Sequence, residues 1–400
     1  MTSTLKADIV EASTTNGNVT LRGNGTGTVA IGDNTAITGT ATVSSTLAVT
    51  GASTLTGATT ISGQAYPTAG GLWSGRNLII NGEMKVSQRG TSFAALANNA
   101  YSLDRWLYYE IGDSVITASQ ATDTPNGNFK NSLKADVTTA DASVAAGDLS
   151  CFLQKIEGLN CSALGWGTAQ AKSVTLSFWV KSPKTGTHSI ALKNSAGDRS
   201  YVAEYTISSA NTWEQQSITV AGDTSGTWLT TTGIGLQVVI CLMAGTDFTK
   251  SAGSWGAGND YGSDNQVNCV DNTSNDFYFT GVQLEIGSAA TPFEHESYAE
   301  TLLKCQRYFT KISPKVNAVP VRGYSISGVS IMARFQFTVR MRAEPTCAIV
   351  GTWQVVNCAQ PVYSSFDIDG FTLRAIADAT GEAYFYPDDA AEYLTCSADL

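Results

Sequence analysis

Sugar recognition relies on an aromatic ring that stacks on the apolar face of a pyranose, flanked by Asp, Asn, Gln or Arg for the hydroxyls. Residues 254–266, SWGAGNDYGSDNQ, bring that chemistry into one stretch: Trp255, Asn259, Asp260, Tyr261 and Asp264 amid glycines. The length of this stretch and its lack of apolar periodicity make it a loop, where binding residues concentrate. Two readings compete: Trp255 offers its ring to a ligand, or it folds back onto the domain that carries it. Trp166 in LGWGTAQ and Trp228 in SGTWL are further ligand candidates. Trp106 and Trp213 adjoin strand-like runs and read as core or sheet-edge plugs, while Trp179 falls on the face opposite an apolar one and fits either role.

Asp260 and Asp264 with Asn259 also have the oxygens a calcium ion wants, but their positions match no defined calcium loop, so no metal is assigned. His188 and His295 are the only histidines. Neither has a nucleophile motif or a metal-ligand partner nearby, and both read as turn or surface residues. Glycoside hydrolysis needs two carboxylates facing across a cleft. Nothing in the spacing of Glu157, Glu204, Asp223 and Glu285 promotes any of them to that role. The expected chemistry is reversible binding, with no catalytic residue and no cofactor.

The elements that must position these residues are β-rich. Of 400 residues only 14% are charged, and 38 are glycine, which suits an extended, exposed β-protein better than a helical enzyme. The net charge of −10 is spread without long acidic runs, and the 24 Lys and Arg are scattered, so nucleic acid is excluded as a ligand. The opening MTSTLKADIV lacks the basic and apolar regions of an export signal, which points to cytosolic folding and to eight cysteines kept as reduced core residues. No apolar run is long enough to span a membrane, and insertion is not expected.

Residues 1–16 are polar and mixed, an attachment segment. Over 17–63 runs a Gly/Thr-rich repeat in which Ile31, Ile37, Val43, Val49, Leu55 and Ile61 recur every six positions. An even period puts every large side chain on one face of an extended chain. The apolar groups are too few for one chain to bury by itself, so several copies must wind about a common axis and satisfy one another's backbone. A disordered Thr/Ser/Gly linker is the competing reading. Residues 64–76 have the Pro/Gly/Ser character of a collar or hinge. From 77 to 298, strand-like runs alternate between apolar and polar, as with Val174, Leu176, Phe178 and Val180, and the turn signals between them indicate an antiparallel two-sheet jelly roll. Tyr298, Leu302, Cys305 and Phe309 form the stripe of a short helix over 297–313, which Pro314 stops. Residues 314–400 read as a smaller β-domain of five or six strands.

Several segments together resemble a tail fibre protein of tailed bacteriophages. STLKADIVEAS at 3–13 is similar to the opening segment by which such fibres join the tail. NLIINGEMKVSQRGTSF at 77–93 with YSLDRW at 101–106, and FYFTGVQLEIGSAATPFEHESYAETLLKCQRYF at 277–309, resemble the two ends of a jelly-roll receptor-binding domain. Between them, LSFWVKS and TWEQQSITVAGDTSGTW look like strands of a carbohydrate-binding module. The resemblance covers 77–309 well, 1–76 in style and 314–400 weakly. It implies a homotrimer in the virion, assembled in the host cytoplasm. Its N-terminus would dock on the tail or a baseplate adaptor, and its jelly roll on a bacterial surface glycan. The rivals are a tailspike that depolymerises the glycan, and a structural platform for another receptor-binding protein.

Overall fold

The computed structural model describes residues 75–400 and, further upstream, the backbone of two short strands, Thr59–Ile61 and Gln64–Tyr66, which pair antiparallel. The attachment segment and the ladder residues Ile31, Ile37, Val43, Val49 and Leu55 lie outside the described residues. Ile61 lies in the first short strand, and the boundary expected between shaft and collar at 63/64 falls within this hairpin.

Period-2 alternation dictates the next layer: a strand with large apolar groups on one face must bury that face, and two such sheets bury each other. A seven-stranded sheet runs in the order Trp255–Gly256, Ser200–Ile207, Gly186–Lys193, Ile234–Ala244, Leu149–Glu157, Leu107–Ile111, Ala100–Tyr101. It faces a six-stranded sheet ordered Glu214–Val220, Val174–Lys181, Asp276–Ile286, Ser132–Thr139, Val115–Ala121, Ser92–Phe93. Val174, Leu176, Phe178 and Val180 are fully buried between the sheets, against Phe152, Leu192, Ile240 and Phe279. All pairings within the two sheets are antiparallel. In Asp276–Ile286 the register slips between Thr280 and Gln283, where Gly281 takes φ 61° and a Cβ would come within 2.6 Å of the Phe129 ring. Only glycine fits that bulge.

The outer face of the seven-stranded sheet is apolar too. Leu107, Leu149, Cys151, Leu153, Val202 and Val239 form a second cluster on that face, roofed by Phe248 and Tyr261 from the segment that follows Ile234–Ala244.

The helix expected over 297–313 is shorter, Tyr298–Gln306. Ser297 and Glu300 form a reciprocal capping box at its start. Its buried residues are Thr301 and Cys305, while Tyr298 is exposed. Phe309, read as the last member of the helical stripe, begins the strand Phe309–Ile312 instead, because Tyr393–Ser397 pairs with it from the far end of the chain.

The C-terminal domain has three three-stranded sheets rather than five or six strands in one, around Trp353, Phe371, Leu373 and Phe385. Its cysteines also depart from expectation. Cys347 and Cys396 face each other across Thr346–Val350 and Tyr393–Ser397 with Cα atoms 4.1 Å apart, and they form a disulfide. The antiparallel register puts the two side chains at bonding distance. Cys151, Cys161, Cys241, Cys269, Cys305 and Cys358 are buried free thiols.

The C-terminal residues tie this domain to the sandwich. Arg342 donates to the carbonyls of Ala398 at 2.8 Å, Asp399 at 2.9 Å and Thr232 at 2.9 Å. Lys155 donates to the Leu400 carbonyl at 2.8 Å, and Arg89 pairs with the Asp399 carboxylate.

Candidate functional site

Three tryptophans, distant in sequence, meet at one end of the sandwich. Trp166 follows the single-turn helix Gly158–Cys161; Trp228 stands in the loop after Glu214–Val220; Trp255 is on the two-residue strand that pairs with the edge of Ser200–Ile207. Ring centroids lie 4.7 Å apart for Trp166 and Trp228, 5.2 Å for Trp166 and Trp255, and 5.4 Å for Trp228 and Trp255, each pair edge to face. Each indole N–H is donated to a main-chain carbonyl: Trp166 to Lys172 at 2.8 Å, Trp228 to Ser225 at 3.0 Å and Trp255 to Ala221 at 2.7 Å. The rings are thereby fixed, and what they leave for a ligand is apolar ring surface.

A cavity of about 190 Å³ opens beside this group, lined by Trp166, Trp228 and Leu229 and by the hydroxyl side chains of Ser162, Thr168 and Thr230. Its floor depends on close backbone approach: a Cβ on Gly235 would come within 2.6 Å of the Gly158 Cα and 2.9 Å of the Leu229 carbonyl oxygen. Pockets for drug-sized ligands measure roughly 300–1,000 Å³, so this space suits a single ring.

Arg199 and Asp223 hold the loop that bears Trp228. The guanidinium donates to the carboxylate through Nε at 2.8 Å and Nη2 at 2.7 Å, and these bonds raise the Arg199 pKa. The same carboxylate accepts from the Ser225 amide at 3.0 Å, and the Asp223 carbonyl accepts from the Gly167 amide at 2.7 Å, which draws the two tryptophan loops together.

Within residues 254–266, Trp255 and Tyr261 pack in different clusters. Trp255 folds back to join the trio, whereas Tyr261 is buried on the outer face of the seven-stranded sheet, 6.0 Å from the Tyr109 ring. The segment contains two short strands rather than a plain loop, and they pair with different partners: Trp255–Gly256 with Ser200–Ile207, and Gly262–Ser263 with Thr249–Lys250. Asp260 accepts from Ser200 at 2.7 Å and Asp264 from Ser251 at 3.1 Å, while Asn259 is exposed.

The four carboxylates weighed for hydrolysis each hold structure. Glu157 is chelated by Arg307; Glu204 accepts from Ser263 and Asn265; Asp223 anchors the loop above; Glu285 accepts from Gln283 and from the amide and hydroxyl of Thr291. His188 is not a surface residue. It is buried in the core with its ring 5.5 Å from Tyr205, and desolvation lowers its pKa to about 4, so it is neutral. Trp106 is a core residue, fully buried. Trp213 is half-buried and donates to Asp123 at 2.9 Å.

The hydroxyls of Ser162, Thr168 and Thr230 and the Arg199–Asp223 pin went unnominated by sequence. The one local hint was the glycine beside or near each tryptophan, in LGWGTAQ and SGTWL. Trp179 lies half-buried on the open face of the six-stranded sheet with Tyr278 and Lys181, and its N–H meets no protein acceptor among the described residues.

No protein-family model matches the chain, and no curated protein does. Among solved structures, the enzymatically active domain of tailspike protein 4 of bacteriophage CBA120 is similar over 53% of this chain, with 15% identity and a TM-score of 0.29; this chain spans 21% of that domain. The family 11 carbohydrate-binding module of Clostridium thermocellum, solved with a β-1,3-1,4-mixed-linked tetrasaccharide, is similar over 51% of this chain and 98% of its own, with 12% identity and a TM-score of 0.25.

Proposed function

We propose that the sandwich is a reversible glycan-binding module that recognises a sugar ring in the Trp166/Trp228 cavity, and that the chain is a virion tail fibre adsorbing to a bacterial surface glycan. The observation that carries the binding reading is the cavity itself: a space of about 190 Å³ beside the fixed rings of the buried Trp166 and the half-buried Trp228, with Ser162, Thr168 and Thr230 also in its lining. The Ser162 and Thr168 hydroxyls donate to the carbonyls of Leu159 at 3.4 Å and Gly165 at 2.6 Å, so what they offer a ligand is acceptor capacity. An apolar wall with hydroxyl oxygens in its lining matches a pyranose, whose two faces differ in the same way. Binding without bond cleavage is favoured because the candidate carboxylates are already committed to Arg199, Arg307, Thr291 and Ser263. In this reading the hexad ladder from Ile31 to Ile61 joins three copies, the N-terminus attaches to a tail or baseplate adaptor, and threefold display raises a weak affinity through effective concentration.

Trp228→Ala tests the site, since this ring lines the cavity and is only half-buried, at the margin of the core where it packs on Trp166. With circular dichroism unchanged, binding to host surface polysaccharide is expected to weaken by about tenfold or more, equivalent to about 1.4 kcal/mol. Undiminished binding would remove the cavity from the account. Release of new reducing ends from the polysaccharide would replace the binding reading with a depolymerase.

A further inference from the structure

Two Asn–Gly steps stand among the described residues, Asn81–Gly82 and Asn126–Gly127, and both asparagines take a left-handed φ, 60° and 51°. Their surroundings are opposite. Asn81 is 2% exposed; its side-chain nitrogen donates to the carbonyls of Val86 at 2.9 Å and Asp104 at 3.0 Å, and its side-chain oxygen accepts from the Val86 amide at 2.9 Å. Gly82 is walled in as well, since a Cβ there would come within 2.1 Å of the Val282 carbonyl oxygen. Asn126 and Gly127 instead form the exposed tip of the loop between Val115–Ala121 and Ser132–Thr139. The Asn126 side chain and the Gly127 amide make no hydrogen bond among the described residues, and nothing lies within 4 Å of the place a Gly127 Cβ would occupy. Buried Pro125 and Phe129 fix the two ends of the tip, and the Asn128 amide donates to the Pro125 carbonyl at 3.3 Å.

We propose that Asn126 is a site of spontaneous deamidation and isomerisation, and that Asn81, in the same dipeptide, is protected by its packing. The Gly127 main-chain nitrogen attacks the side-chain amide carbon of Asn126 and forms a C–N bond that closes a cyclic imide. The proton of that nitrogen passes to the departing amide nitrogen, which leaves as ammonia. Water then opens the imide at either carbonyl carbon, giving aspartate on the original backbone or isoaspartate with the chain routed through the side-chain carbon. In sum an amide and water become a carboxylate and ammonium, and no electron changes hands. Glycine favours the first step because no Cβ shields its nitrogen. At Asn81 the attack must wait for local opening, because the hydrogen bonds to Val86 and Asp104 hold its amide in place. An exposed loop tip tolerates the change, since the buried anchors on either side stay where they are. The new carboxylate appears in the same loop as Asp123, which accepts from Lys181 and Trp213.

Incubation of the full-length protein in mildly alkaline buffer, native and in urea, followed by peptide mass mapping and isoaspartate detection, provides the test. The rate in urea calibrates each site, because there both steps react as unfolded chain. In the native protein Asn126 is expected to stay within about tenfold of its rate in urea, gaining about 1 Da and yielding isoaspartate. Asn81 is expected to fall by more than about tenfold against its own rate in urea, as a group that needs local opening does. A native Asn126 slowed by more than about tenfold would overturn the proposal, since the turn would then hold the amide away from the Gly127 nitrogen. A native Asn81 slowed by less than that would overturn it too, because packing would confer no protection.

Discussion

Arg307→Ala is expected to destabilise the described domains by about 2–4 kcal/mol, because it strands a buried carboxylate. Glu157 is 1% exposed at the end of its strand, and its two oxygens accept from Arg307 Nε at 2.8 Å and Nη2 at 2.6 Å, with the Tyr308 hydroxyl at 2.9 Å. A bidentate fork of this kind is the strong form of the ion pair. Removing the guanidinium leaves the charge with one neutral donor, the Tyr308 hydroxyl. Arg307 also joins the sandwich to the C-terminal domain, since its carbonyl accepts from the Arg342 amide at 2.9 Å. Glu157→Gln in the Arg307→Ala background is expected to recover much of the loss, which identifies the stranded charge as the cause. Thermal unfolding of the wild type, Arg307→Ala, Glu157→Gln and the double variant measures this, and a loss below about 1 kcal/mol for Arg307→Ala would mean that water reaches Glu157.

Lys193→Met is expected to leave the protein as stable or more stable near neutral pH, contrary to the usual result of cutting away a buried side chain. Lys193 is fully buried beneath the roof of the seven-stranded sheet, its Nζ has no hydrogen-bond partner, and it sits 3.0 Å from the centre of the Tyr261 ring. Desolvation brings its pKa down from 10.5 to about 7, opposed by Cys151, Asp260 and Cys241. The unfolded amine thus holds a proton between about 7 and 10.5 that the folded amine does not. Stability must therefore fall as pH drops through that window. From about pH 8.5 to 7 the wild type is expected to lose up to about 2 kcal/mol relative to Lys193→Met. The window stops there because the buried thiols of Cys151, Cys241 and Cys269, with pKa values raised by burial, titrate in the opposite sense near 9.0 and above. Urea denaturation of both proteins at the two pH values decides it. Parallel pH profiles would show that Lys193 stays charged and that its contact with Tyr261 stabilises the roof.

Local signals made the sandwich legible and left its site half visible. Val174, Leu176, Phe178 and Val180 announced a buried face by period alone, and all four are fully buried. Where a distant strand decides, local pattern fails: Phe309 fits the helical stripe, yet its partner is Ser397, and Cys347 meets Cys396 only through a register 49 residues of sequence apart. Trp166, Trp228 and Trp255 could each be nominated by residue type, but their convergence belongs to the topology that brings three loops to one end. Tyr261 and Asp260 were grouped with Trp255 because they are neighbours in sequence. Tyr261 instead turns onto the outer face of the seven-stranded sheet as part of its roof, while Asp260 stays near Trp255 but is taken up by Ser200, the register partner of Gly256. His188 gave no sign of burial because its strand, Gly186–Lys193, begins among polar residues and carries it inward by alternation.

Binding depends on a sugar ring entering the cavity beside the paired rings of Trp166 and Trp228. Fluorine NMR of protein labelled with 5-fluorotryptophan, its resonances assigned by single Trp→Phe variants and followed during titration with host surface polysaccharide, addresses it directly. Saturable shifts at Trp166 and Trp228, with the fully buried Trp106 and Trp353 unmoved, are the predicted result. Saturable binding that leaves Trp166 and Trp228 unshifted would contradict it, and a response at Trp179 in their place would move the site to the open face of the six-stranded sheet.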